Sequence, residues 1–154
     1  MKLVWYLIDI PLHWARSPSA SLTGALAVVD GSAFDAKKQI TEATGGGALC
    51  VLDLVGAAST IELGIAALRK GGDIVVVGLY GGELKLPIVY FPLRAMGVRG
   101  SYVGTLPGLK ELVALAQKGT LKPIKVTRRK LAEANEALLD LKAGKVVGRV
   151  VFVP

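Results

Sequence analysis

The chain predicts an α/β fold built on a mostly parallel, doubly wound sheet. Three observations point there. Apolar or β-branched runs (Ala48–Val55, Ile74–Val77, Val98–Val103) alternate with stretches of helical periodicity between Ala48 and Lys118. Ile74–Val77 is apolar throughout, as expected of a strand covered on both faces. A strand–helix–strand succession obeying the right-handed crossover rule then makes neighbouring strands parallel, with helices on both faces.

The elements follow in order. Leu3–Ile10 is a candidate strand, and Pro11–Ser21 is an irregular stretch rich in Ser and Pro. Ala25–Val29 is a short apolar run that stops at the turn pair Asp30-Gly31. Ser32 is placed to cap a helix running to about Thr44, with Ala36, Ile40 and Ala43 on one face. Gly45-Gly46-Gly47 ends it. These glycines follow a helix and precede a strand, the reverse of a phosphate loop, so they are a helix stop. Ala48–Val55 is a buried strand broken by Gly56.

Ser59 and Glu62 have capping-box spacing, and the helix they open puts Ile61, Gly64, Ile65 and Leu68 on one face. Arg69-Lys70-Gly71-Gly72 closes it, cations and glycine both suiting a helix C-terminus. Ile74–Val77 is the next strand and stops at Gly78-Leu79-Tyr80-Gly81-Gly82. Pro87–Met96 is a short helical piece, and Val98–Val103 a further strand. Leu109, Leu112, Val113 and Ala116 make Pro107–Lys118 an amphipathic helix closed by Gly119. Lys122–Val126 is a candidate strand. Ala134, Ala137, Leu138 and Leu141 stripe a helix over Ala132–Lys142, and Val146–Val153 is the last strand.

Composition narrows the class. At 154 residues one compact domain is expected, and 52% apolar against 20% charged residues excludes disorder. Cys50 and His13 are single, so neither an internal disulfide nor a structural zinc site fits the chain. Cys50, inside an apolar run, is expected to be a buried structural thiol. Met1–Trp14 holds Asp9 and Pro11 and is too short to span a bilayer. Leu3–Ile8 is short for a secretory core, with no A-x-A site after it, so a cytoplasmic location is expected. The net charge is +7; residues 1–98 balance, whereas 99–154 hold eleven basic against four acidic groups. Arg128-Arg129-Lys130 has no aromatic neighbour on which a base would stack. It is expected to be solvated charge before a helix, and nucleic-acid binding is not expected.

Four segments carry a resemblance: VLDLVG at Val51–Gly56, ALRKGGDIVVVGLYGG at Ala67–Gly82, VRGSYVGT at Val98–Thr105 and LAEANEALLDLKAGKVVGRVVFVP at Leu131–Pro154. In order and spacing they resemble the medium-chain dehydrogenase/reductase family, zinc-type alcohol dehydrogenases in particular, over residues 25–154. The resemblance implies a Rossmann-like sheet that is incomplete. The chain contains no G-x-G-x-x-G, and the family's first strand with that turn is missing, as is its zinc-holding catalytic domain. Residues 1–24 are then an atypical segment with one candidate strand. Residues 25–154 are a partial NAD(P)-binding domain with a C-terminal strand–helix–strand extension. The implied function is that of a truncated cofactor-binding domain of an NAD(P)-dependent alcohol dehydrogenase, inactive alone. The alternative is a non-catalytic dimerisation or binding module that kept the scaffold.

By the same resemblance, Asp9 ends the family's second strand, where an acidic residue grips the adenosine ribose; the alternative is an ordinary strand-end carboxylate. Leu54, Val55 and Gly56, then Val77, Gly78 and Leu79, then Ser101, Tyr102 and Val103 line the cofactor at three strand ends. Arg149 matches the arginine that pairs with the pyrophosphate. Against this, each glycine also suits a plain turn, and Arg149 a solvated strand. NAD or NADP is the implied cofactor, bound weakly or no longer, and zinc is not expected in this chain. No catalytic residue is assigned, since no Cys/His/Glu constellation exists and Tyr80 or Tyr102 alone is a poor acid. With the central first strand absent, Leu3–Ile8 is expected to fill the slot beside Ala48–Val55, or a second copy to cover it. Otherwise the sheet splits, each unpaired buried backbone group costing about 1–3 kcal/mol. A homodimer paired edge to edge through Val98–Val103, a run without proline, is implied as well.

Overall fold

The computed structural model describes residues 6–9, 25, 27–121 and 124–154. Every strand pairing among them is parallel. Strands β1 (Tyr6–Asp9) and β2 (Ala27–Asp30) form one sheet. Strands β3 (Ala48–Asp53), β4 (Leu68–Val76) and β5 (Gly97–Gly100) form a second, in that order. Strands β6 (Val126–Lys130) and β7 (Arg149–Val153) form a third. The chain divides into two compact units, one holding β1–β5 and the other β6 and β7.

In the first unit, helices α1 (Ala36–Ala43), α2 (Ala58–Ala67) and α3 (Tyr90–Arg94) join the strands. Val29, Ala36, Ile40 and Ala67 form one buried cluster; Ile65, Leu68, Ile74 and Met96 form the other. Helix α2 lies close on β3 and β4 because Gly64 faces Val51 and Ile74. A Cβ at Gly64 would stand 2.8 Å from the Ile74 Cδ1 atom. Ile74, fully buried, is the centre of this layer.

Only one face of β3–β5 is covered in this way. Strand register places Cys50 beside Asp73 and Leu52 beside Val75, on the face away from Val51 and Ile74. Cys50 is exposed and Leu52 is 46% exposed, so the expected buried thiol is not found. Apolar character alone could not reveal this, since burial needs a second layer over the strand. The expected filling of the vacant slot by the N-terminal strand is not found either. β1 pairs with β2, not with β3, so Tyr6–Asp9 does not stand in for a first strand. Among the described residues β3 pairs with β4 alone, and the sheet is split. With Leu49, Cys50 and Leu52 exposed, water reaches this strand, which lowers the cost of its unpaired groups.

In the second unit, α4 (Leu106–Gln117) starts at Thr105, whose Oγ1 accepts from the Gly108 amide at 3.3 Å. A 3-10 turn, Leu131–Glu133, leads into α5 (Ala134–Lys142), which runs alongside β6 through Arg129 and Asp140 at 2.7 Å. Both amphipathic stripes are thinner than the sequence suggests. Leu109, Leu112, Val113, Leu138 and Leu141 are exposed, and in α5 only Ala137 is buried.

Several element boundaries move. Ser32 does not cap α1; its amide and hydroxyl both donate to the Asp30 carboxylate, making a turn, and the helix begins four residues on. Ala43 is exposed, because α1 turns away from its cluster after Ile40. The capping contact of α2 is made by Thr60, not by Ser59 and Glu62: Thr60 Oγ1 accepts from the Ala57 amide at 3.3 Å. Arg69 to Gly72 do not end α2 but lie in β4, bulging out of register between Leu68 and Asp73. β5 stops at Gly100, short of Val103. Of the strand expected over Lys122–Val126, residues 122 and 123 lie outside the described residues; the strand found is Val126–Lys130, so Arg128-Arg129-Lys130 is strand, and Arg129 is ion-paired. The stretch Pro11–Ser21 lies outside the described residues.

Candidate functional site

Three turns stand side by side at the carboxyl ends of β3, β4 and β5. Main-chain hydrogen bonds hold them there. The Asp53 carbonyl accepts from the Val77 amide at 2.8 Å and the Gly78 amide at 3.0 Å. Val55 and Gly56 carbonyls accept from Tyr80 and Gly81, and the Val76 carbonyl accepts from the Ser101 amide at 2.9 Å. Leu54-Val55-Gly56, Val77-Gly78-Leu79 and the start of Ser101-Tyr102-Val103 are thereby brought together, as strand-end ligand sites in open parallel sheets require.

Gly56 and Gly78 have a specific job. Gly56 has φ +75°, and a Cβ on it would run into the Gly78 carbonyl; a Cβ on Gly78 would strike the Val55 carbonyl. These glycines let two turns pack backbone against backbone. Gly100 differs, since a Cβ there meets nothing. Leu79 and Tyr102 are 89% and 86% exposed, so the rim is open to solvent. Val103 has φ +35°, a strained value for a β-branched residue.

The polar groups on offer are uncharged. Among the described residues the Leu79 amide and the Ser101 hydroxyl carry no hydrogen bond, and no cation is found among the nine turn residues. That donor set fits a flat ring, a carboxamide or a ribose hydroxyl; it does not fit a phosphate. The other two predicted ligands belong to other elements. Asp9 ends β1, in register with Asp30, one sheet away from these turns. Arg149 opens β7 in the second unit, exposed, its amide donating to the Lys125 carbonyl at 2.9 Å.

Two residues that the sequence did not single out organise the first unit's site. Asp53 is buried at the end of β3, and its Oδ1 accepts from the amides of Val55 (2.9 Å) and Gly56 (3.1 Å). Its Oδ2 accepts from the buried Thr60 hydroxyl at 3.1 Å, which shares its proton with the Ala57 carbonyl at 2.9 Å. The available signal was a lone carboxylate closing the apolar run of β3, with a threonine seven residues on.

Two further arrangements bear on chemistry. In the second unit a shallow cavity of about 140 Å³ is lined by Lys125, Thr127, Arg129, Lys145 and three valines. Asp140 meets both Arg129 and Lys145 there, and its bonded carboxylate holds the Arg129 pKa above the ordinary value. The cations are thus partly answered already. For zinc, no group of three or more His, Cys, Asp or Glu side chains is assembled among the described residues. Nor is any helix among them long and apolar enough to cross a membrane.

Comparison with known proteins agrees with the parallel α/β fold. A family model described as zinc-binding dehydrogenase matches residues 15–118. An NAD-dependent alcohol dehydrogenase of Sulfurisphaera tokodaii is 36% identical over 149 residues, covering 96% of this chain and 43% of the relative. An alcohol dehydrogenase of Geobacillus stearothermophilus is 32% identical over 146 residues, covering 95% of this chain and 42% of the relative. Among solved structures, the alcohol dehydrogenase of the hyperthermophilic archaeon Aeropyrum pernix superposes with a TM-score of 0.81 at 34% identity, over 97% of this chain and 42% of that one. The chain therefore spans less than half the length of the relatives it matches.

Proposed function

The chain belongs to the zinc-binding dehydrogenase family, and from that membership we propose that it is the cofactor-binding portion of an NAD(P)-dependent alcohol dehydrogenase. Three adjoining strand-end turns with uncharged polar groups are the observation that carries this reading. Leu54, Val55 and Gly56 take the adenosine–ribose side, and Val77, Gly78, Leu79, Ser101, Tyr102 and Val103 the nicotinamide side. Arg149 supplies a charge for the pyrophosphate, and Asp9 an acceptor for the ribose hydroxyls. When bound, oxidised NAD or NADP would accept the hydride of the alcohol, and its reduced form would return it to a carbonyl. This chain's residues bind and orient the cofactor and contribute no acid, base or metal, so alcohol turnover by the chain alone is not expected. Without a glycine turn at a helix N-terminus the affinity is low. A cytoplasmic location belongs to the same reading.

A homodimer joined edge to edge through β5 is the second part of the proposal. β5 pairs only with β4 among the described residues, and its one charge, Arg99, is turned to Asp73 at 3.4 Å and does not guard the edge. If the pairing exists without cofactor affinity, the chain is a dimerisation module on a retained scaffold.

Calorimetric titration with NADH and NADPH tests the first part. Saturable binding below millimolar ligand is expected. No heat at millimolar concentrations of either would leave the scaffold alone.

A further inference from the structure

We infer that Asp53 is the positioning residue of the cofactor groove, a role that rests on the cofactor reading above. Asp53 and Thr60 are the buried polar side chains among the described residues. A buried carboxylate is costly unless its oxygens are met, and no cation pairs with this one among the described residues. What meets it instead is the groove. Oδ1 holds the Val55 and Gly56 amides, Oδ2 holds the first turn of α2 through Thr60, and the main-chain carbonyl holds Val77 and Gly78. Two of the three turns assigned to the cofactor therefore hang from one residue, and their mutual spacing is set where Gly56 and Gly78 pack backbone to backbone. Sites of this kind lose affinity when their supports loosen by a fraction of an ångström.

Removing the carboxylate leaves the fold other anchors. Thr60 keeps the Ala57 carbonyl as acceptor, and the carbonyl of residue 53 keeps Val77 and Gly78. NADH titration of the wild type, Asp53→Ala and Asp53→Asn separates the possibilities. For Asp53→Ala the Kd should rise about tenfold or more with stoichiometry unchanged, about 1.4 kcal/mol. Asparagine keeps an acceptor at the Oδ1 position and should stay within about threefold of the wild type. A purely structural role would lower the stoichiometry at constant Kd, and that result overturns the inference. If the alanine variant does not fold, Asp53→Ser, polar but too short to reach the turn, carries the same expectation. Wild-type Kd in that variant overturns it equally. A wild type that binds no NADH overturns the cofactor reading and this inference with it, whereas unchanged affinity in the variants beside a binding wild type overturns this inference alone.

Discussion

Gly56 and Ile74 show two ways in which a single position is constrained. At Gly56 both the positive φ and the Gly78 carbonyl forbid a side chain. Gly56→Ala should destabilise the chain by about 2 kcal/mol or more, read as a lower midpoint in urea unfolding at unchanged slope. Ile74, with 0% exposure, fills the space under Gly64 and Met96. Ile74→Ala should cost about 2–5 kcal/mol in the same measurement. Cys50 lies one register position from Val51, in an equally apolar run, yet it is exposed. Its thiol should react with a maleimide in the folded protein at a rate near that of a free thiol; protection would mean that a layer covers this face. The sequence distinguishes neither residue, because composition shows that a strand is apolar without showing which face is covered.

At the level of elements, strands announced by β-branched runs were legible: Ile74–Val77 lies almost wholly in β4, and the three-glycine helix stop after Thr44 is where the pattern put it. Starts and ends decided by side-chain acceptors were not. Ser32 and Ser59 both looked like caps, but Asp30 captured the first, and Asp53 with Thr60 began α2 ahead of the second. Local spacing cannot rank a nearby cap against a carboxylate arriving from a strand end. β6 was misplaced because three successive basic residues suggest solvent-exposed turn, while a parallel partner strand and Asp140 accommodate them. The proposed edge pairing through β5 belongs to this scale. Val103→Lys, just beyond the strand, should give monomers in sedimentation velocity if pairing extends to that residue; dimers that persist unchanged place the interface elsewhere.

For the whole molecule, the parallel architecture was legible because alternating apolar runs and helices leave few topologies open. The division into two units and into three sheets was not, since it depends on which strands find partners in space. The site is legible in part: resemblance names the three strand-end turns, but not Asp53, which ties two of them together. The leucines of α4 and of α5 leave apolar side chains exposed to solvent. The isolated chain should therefore enhance the fluorescence of a hydrophobic dye in native buffer, well above a compact control protein; no enhancement would mean that these helices are covered in solution. The account depends most on the claim that the strand-end turns take a nicotinamide cofactor. An amide-resolved NMR titration with NADH addresses it directly. The account predicts shifts confined to the amides of Asp9, of residues 54–56, 77–79 and 101–103 and of Arg149; shifts elsewhere, or none at millimolar NADH, would contradict it.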